Sequence, residues 1–372
     1  MTRKKILILR SNPVSPDSRV ERTAQVLSAA GHEVIVIGWD RNQNLSLHEE
    51  HGYGTLERIR IPAGFNVGIR QGHRVLQFWW YLFWQLLSRE YDAVHACDFD
   101  TAVPALLAAF FRRKQRVFDI FDFYGGGGKV PGWLRPVIRQ AERLMMRLAH
   151  RIIIVDQSRL TLIPASQQAK VVVIYNSPPD VSASTLKSPI PKTSKLRVVY
   201  AGQLNEGRFI LEVATAVNFL PEAEFIIAGF GPEHWVTRLK AHIEPFRNVR
   251  WIGKLSFLES LGLESTADVL FALYDTAIPQ NRTASSNKLF EAMMLVKPII
   301  VNKGTSMDIV VSRYQSGYVV EKPSEAGLVT LFESLISDRT ELERRGRAGR
   351  EAYTEHFSWQ IMEQRLADIY VK

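Results

Sequence analysis

Ser285 to Val301, S-S-N-K-L-F-E-A-M-M-L-V-K-P-I-I-V, sets the reading of the whole chain. A polar loop over 280–287 leads through Lys288 into a short helix that holds one glutamate, Glu291. Pro298 breaks the helix and a fully apolar strand follows. That order puts Asn287, Lys288 and Glu291 at a loop-to-helix junction on the ligand side of a parallel sheet. Backbone N–H groups at a helix N-terminus favour an anion, and Lys288 adds a mobile positive charge. Glu291 follows about one turn later, where a carboxylate accepts hydrogen bonds from hydroxyls. The expected ligand is therefore anionic and hydroxylated, as a nucleotide sugar is. The competing reading is an ordinary capped helix packed through Leu289, Phe290 and Met293.

At 372 residues the chain exceeds one ordinary core, so two domains are expected. With 46% hydrophobic and 23% charged residues it is globular, which excludes a disordered tail or linker protein. A single cysteine, Cys97, excludes a disulfide framework and points to a reducing, cytoplasmic compartment. The early I-L-I-L run is too short for a signal-peptide core and reads as a first strand.

The net charge of +9 calls for an anionic partner. No nucleic-acid motif or basic helical stripe stands out, so nucleic acid is not expected, and a phosphate-bearing substrate or an anionic membrane surface remains. The run Phe78-Trp79-Trp80-Tyr81-Leu82-Phe83-Trp84 bears on this choice. It is too short to span a bilayer, which takes roughly 20 residues. It can lie in the headgroup zone, giving peripheral contact with the inner face of the plasma membrane through 78–84, or it can be a buried helix.

Strands and helices alternate along the first half: K-I-L-I-L (5–9), a helix over 19–30, E-V-I-V-I-G (33–38), and an exposed-looking strand over 56–61. After the aromatic helix come A-V-H-A (93–96), a helix over 102–111, R-V-F-D-I (116–120), a helix over 134–149, I-I-I-V (152–155) and V-V-V-I (171–174). Residues 177–195 hold four prolines and five serines and read as a linker. A second series opens at L-R-V-V-Y-A-G (196–202) and runs through E-F-I-I-A-G (224–229) to G-Y-V-V (317–320). The fold expected is α/β, with two Rossmann-like doubly wound parallel-sheet domains facing a cleft. The divisions are 1–178, a linker 179–195, 196–356, and a helix 357–372 crossing back to the first domain.

Candidate site residues cluster at strand ends. Gly202, Gln203, Gly207 and Arg208 follow the first strand of the second half; the glycines let backbone approach a ligand, and Arg208 can grip phosphate. Gly229 and Gly231 end the next strand in a similar turn. His95 and Asp98 end a first-half strand. Asp119, Asp122 and the run Gly125-Gly126-Gly127-Gly128 lie nearby, the glycines being a candidate acceptor loop.

Together these pieces resemble glycosyltransferase family 4, retaining enzymes of the two-Rossmann-domain GT-B fold, over nearly the whole chain. P-D-S-R-V-E-R-T-A-Q-V-L-S-A-A-G-H-E-V-I-V-I is similar to the family's opening unit. V-H-A-C-D-F-D-T-A-V-P-A-L-L-A-A and R-V-F-D-I-F-D-F-Y-G resemble its acceptor-side core. A-G-F-G-P-E, N-V-R-W-I-G-K and S-N-K-L-F-E-A-M-M-L-V-K-P-I-I-V resemble its donor domain in order and spacing. The resemblance implies sugar transfer from a nucleotide-diphosphate sugar, with a UDP-sugar expected, to a glycan or glycolipid acceptor in cell-surface glycan synthesis. It implies no cofactor and no metal. Arg208 and Lys288 would hold the diphosphate, Glu291 would match the second glutamate of the family's E-x7-E pattern and contact ribose, and Asn287 and Leu289 would add contacts beside it. His95 and Asp98 would meet substrate hydroxyls, with Asp119, Asp122, Gly125 and Gly126 on the acceptor side. Three positions depart from the pattern. Thr283 stands where the first glutamate belongs, Gln203 replaces an arginine, and Phe121 replaces a histidine that touches the sugar. These departures keep open a silent homologue that partners another transferase; an epimerase on the same scaffold would need more acid/base groups.

Overall fold

The computed structural model describes residues 2–64, 72–126, 130–181 and 185–371. Gly127 and Gly128 of the glycine run, and 182–184 of the proline-rich segment, lie outside the described residues. The chain divides into two units, Met1–Tyr175 with Met362–Lys372, and Asn176–Ile361.

The first unit is built on an eight-stranded sheet: β1 (Lys5–Leu9), β2 (Glu33–Asp40), β3 (His48–His51), β4 (Gly54–Arg60), β5 (Ala93–Cys97), β6 (Gln115–Ile120), β7 (Arg151–Ile154) and β8 (Val171–Val173). Their order is β3-β4-β2-β1-β5-β6-β7-β8, with every pairing parallel except β3 with β4. Helices α1 (Ser18–Ala29), α2 (Gly72–Ser88), α3 (Phe99–Phe111) and α4 (Arg135–Leu148) make the crossovers. The central strands are buried along their length because both faces are covered, which is why they read as unbroken apolar runs. Asp17 caps α1 by accepting from the Val20 N–H, which fixes where that helix begins.

The strand expected over 56–61 to be exposed is instead interior, paired with β2 on one side and β3 on the other. Its charges misled because each is neutralised locally. The buried guanidinium of Arg58 donates to Glu49 on β3, and Glu57 accepts two 2.6 Å bonds from Arg89. The aromatic run is divided between two environments. Phe78, Leu82 and Leu86 point into the core, where Phe78 stacks on Trp39 at 4.4 Å, whereas Trp80, Tyr81 and Trp84 point out. No helix among the described residues is long and apolar enough to cross a membrane.

The second unit carries six parallel strands: β9 (Leu196–Gln203), β10 (Ala223–Phe230), β11 (Val249–Trp251), β12 (Val269–Ala272), β13 (Ile299–Asn302) and β14 (Gly317–Val320). Their order is β11-β10-β9-β12-β13-β14. Flanking helices are α5 (Ile210–Asn218), α6 (Glu233–Ile243), α7 (Phe257–Ser265), α8 (Asn287–Met294), α9 (Ser306–Tyr314), α10 (Glu325–Ser337) and α11 (Arg339–Ala352); α12 (Trp359–Asp368) follows. A capping box between Ser256 and Glu259 starts α7. The order reverses between β9 and β12, so their carboxyl ends form a switch point where such sheets bind ligands.

Candidate active site

The cavity at that switch point, about 340 Å³, is lined by Tyr200, Gly202 and Gln203 of β9, Arg208, Glu264 of α7, Tyr274, and Ser285 to Lys288 with Glu291 at the start of α8. Six residues picked out in the sequence, Gly202, Gln203, Arg208, Asn287, Lys288 and Glu291, thus meet in one place. No side chain caps the N-terminus of α8; the Leu289 N–H donates to the Ser286 carbonyl, and the N–H groups of Asn287 and Lys288 lie nearest the cavity, where a helix N-terminus favours an anion.

Lys288 is partly buried, with its amine 4.6 Å from the Tyr200 ring centre. Burial alone pulls an ammonium's pKa down, but the neighbouring Tyr200, Tyr274, Glu291 and Glu264 oxygens outweigh it and hold Lys288 above its usual value. The cation is therefore fixed in the charged form. Gly202 makes room for it: a Cβ there would lie 2.4 Å from the Lys288 amine, and the backbone φ of +149° disfavours any side chain. The Arg208 guanidinium lies 3.6 Å over the Tyr274 ring, and its Nη1 is buried without a partner. Oε2 of Glu264 and Oγ of Ser285 are likewise buried and unpartnered. Burial and the adjacent Glu291 push Glu264 well above the ordinary glutamate pKa, against the pull of Lys288. Unpaired buried polar atoms cost about 1–3 kcal/mol each, and three in one cavity mark a place where a polar ligand completes the bonding.

The remaining donor-side expectations fall elsewhere. Leu289 is core, not cavity wall. Gly229 and Gly231 serve strand packing: a Cβ on Gly229 would sit 1.8 Å from the Gly202 carbonyl oxygen, because the ends of β9 and β10 run side by side. Gly207 borders a separate hollow with Phe209 and Asp275. Tyr200, Tyr274, Glu264 and Ser285 are cavity residues that the sequence reading missed. Glu264 left a signal, a carboxylate on the apolar stripe of L-G-L-E, where a solvated residue has no place.

In the first unit, His95, Asp98 and Asp119 are buried, and each is held by bonds within that unit. His95 is fully buried, with Nδ1 2.8 Å from the Tyr370 hydroxyl and Nε2 3.2 Å from Asp119. Alternation along β5 puts His95 and Cys97 on one side, and Cys97 pairs in register with Asp119. The Arg19 guanidinium donates to both Asp119 oxygens, at 2.9 and 3.3 Å. Burial would raise the Asp119 carboxyl, but Arg19 and His95 bring it below the usual range. His95, Cys97 and Asp119 approach within 4.8 Å, yet the set does not fit a cation: both histidine nitrogens are engaged, Arg19 occupies the carboxylate, and burial keeps the Cys97 thiol protonated.

Asp98 ties two loops together. One oxygen accepts the N–H groups of Phe121 and Asp122 and the other meets Arg10 at 2.5 Å. Burial lifts its pKa to about 6 despite Arg10. Its backbone, at φ 67° and ψ 169°, is strained by roughly 1–3 kcal/mol, which these bonds sustain. Phe121 lies between two guanidinium groups, Arg10 at 4.2 Å and Arg19 at 4.8 Å. Asp122 is exposed, and Arg159 donates to it at 3.4 Å. Gly125 is pressed under α4, donating its N–H to Glu142, and Gly126 closes the same short turn.

Two parallel-sheet α/β units, the second with a polar, cation-bearing cavity at its switch point, define a GT-B glycosyltransferase. The chain belongs to glycosyltransferase family 4: the model described as Glycosyltransferase Family 4 matches residues 18–177 and that of Glycosyl transferases group 1 matches 185–352. It is 24% identical to a glycogen synthase of Mycobacterium tuberculosis, over 95% of this chain and 89% of that one. Among solved structures it resembles sucrose-phosphate synthase from Thermosynechococcus elongatus (TM-score 0.75, 15% identity) and Anabaena HepE in complex with UDP-glucose (TM-score 0.69, 16% identity), each covering 98% of both chains.

Proposed function

We propose that this glycosyltransferase moves a sugar from a nucleoside-diphosphate sugar, a UDP-sugar in the simplest case, to a hydroxyl of a lipid-linked or polysaccharide acceptor, with retention at the anomeric carbon. The observation that carries it is the pairing of two partly buried cations, Arg208 and Lys288, with two carboxyl groups, Glu291 and Glu264, around one cavity. The cations match a diphosphate; Glu291 matches hydroxyl-bearing ribose. As the glycosidic bond breaks, negative charge builds on the departing diphosphate, and cations already positioned at that spot stabilise it without reorganising. Anabaena HepE, whose structure contains UDP-glucose, supports a UDP-sugar, and the likeness to a glycogen synthase supports a glycan acceptor.

The test is thermal stabilisation by UDP, GDP, ADP and their sugars. Ligand at a hundred times its Kd adds about 2.7 kcal/mol, or roughly 5–10 °C for a unit of this size. A selective shift with one nucleotide identifies the donor base, and anomeric coupling constants of the product then test retention. No shift with any nucleotide refutes the donor assignment.

A further inference from the structure

The first unit presents one helical surface that the donor cavity does not explain. Helices α2, α3 and α4 lie side by side, α3 packing against both neighbours. On α2, Trp80 is 68% exposed and Trp84 50%, one turn apart, their rings meeting edge-on at 5.4 Å. At the end of α3, Phe111 is 67% exposed and abuts Phe83. Trp133, 74% exposed, stands just before α4, whose outer face adds Val137 and Leu144. Side chains this large are seldom left in water in such number on one face without a partner.

The charge on that surface has one sign. No acidic residue occurs from 72 to 88. The acids of α3 and α4, Asp100 and Glu142, are both buried, Glu142 accepting from the Tyr124 and Gly125 N–H groups. Arg139, Arg143 and Arg147 recur every fourth residue along the exposed side of α4, forming a single stripe. The first acid beyond α2, Glu90, is engaged by Arg112 at 3.0 Å. A protein partner commonly presents mixed charges to pair, and this face offers it only cations. Tryptophans interleaved with arginines fit instead the headgroup layer of a bilayer, where indole rings settle at the interface and guanidinium groups meet lipid phosphates.

We propose that the outer face of α2, α3 and α4 docks on an anionic phospholipid bilayer, with Trp80, Trp84, Phe111 and Trp133 entering the interface and Arg139, Arg143 and Arg147 contacting phosphates. Trp79 does not belong to this surface, because its indole N–H is held by the Asp100 carbonyl at 2.6 Å. The inference goes beyond the transferase reading and is tested without donor or acceptor, so either can fail while the other stands.

The experiment is co-sedimentation of the full chain with vesicles of phosphatidylcholine alone and with phosphatidylglycerol added, beside Trp80→Ser/Trp84→Ser and Arg143→Gln/Arg147→Gln. All four are surface positions, and melting within 2–3 °C of wild type, roughly 1 kcal/mol, would show that the fold is intact. Wild type is expected on anionic vesicles only. The arginine pair should weaken binding about thirtyfold, at roughly 1 kcal/mol per residue, and the tryptophan pair by at least about tenfold. Equal binding to both vesicle types, or variants that bind like wild type, would overturn the proposal. So would a concentration-dependent dimer abolished by the tryptophan substitutions, which would give the face to a second copy of the chain.

Discussion

Replacing Lys288 by methionine tests the donor cavity most directly. The change keeps most of the aliphatic stem and removes only the amine that lies over the Tyr200 ring and beside Gly202. A charge-assisted hydrogen bond contributes about 1.5–3 kcal/mol, so UDP affinity should fall about 10- to 160-fold. Uridine, which lacks phosphates, should bind both proteins alike, and titration calorimetry with the two ligands separates the cases. The free variant should also lose stability as pH rises. With the cation gone, the repulsion between Glu264 and Glu291 grows, and it appears only once both begin to ionise. The reasoning fails if UDP affinity changes less than threefold, or if uridine weakens as much as UDP.

Glu264→Gln addresses the carboxyl with the raised pKa beside Lys288. An acid whose pKa is raised by folding stabilises the fold fully below its ordinary value near 4.5 and loses that contribution as pH climbs toward the raised value. The variant should therefore match wild type near pH 4.5 and melt progressively higher than it toward pH 8, by about 1.4 kcal/mol for each tenfold in proton affinity; a melting difference independent of pH would refute this. Tyr370→Phe leaves the buried Nδ1 of His95 unpaired, so it should cost about 1–3 kcal/mol in denaturant unfolding without altering UDP affinity. An unchanged unfolding midpoint would show that the contact is not stabilising. Gly229→Ala drives a methyl group into the Gly202 carbonyl and should cost more than about 3 kcal/mol or prevent folding, whereas an alanine tolerated at that strand end would contradict the packing described.

The sheets were legible because their strands are buried on both faces and their sequences are continuously apolar; K-I-L-I-L and K-P-I-I-V need no partner to be recognised. β4 was misjudged for the opposite reason. Its Thr-Leu-Glu-Arg-Ile-Arg alternation has the pattern of a solvated strand, and only the fold reveals Glu49 and Arg89 waiting to neutralise Arg58 and Glu57. His95 and Asp98 show the same limit at the candidate site. A polar residue at the end of a strand can reach a ligand or brace a loop, and spacing cannot separate the two; the bond from His95 to Tyr370, 275 residues away, leaves no trace in the local sequence.

Glu264 carries that argument into the donor cavity. Counting eight positions back from Glu291 leads to Thr283, and a motif read along one segment concludes that a carboxylate is missing. The cavity nonetheless has two carboxyl groups, because α7 brings Glu264 to the same amine from the other side. What the chemistry needs there is a set of groups at fixed positions around a cation. Such a set can be supplied from a different segment where a linear pattern breaks, since a lysine is held charged by anionic oxygens close enough to outweigh its desolvation. Whether the second carboxyl arrives from the loop before α8 or from α7 changes which hydroxyl it can meet. Donor preference should therefore follow Glu264, a residue that no spacing rule from Glu291 could have found.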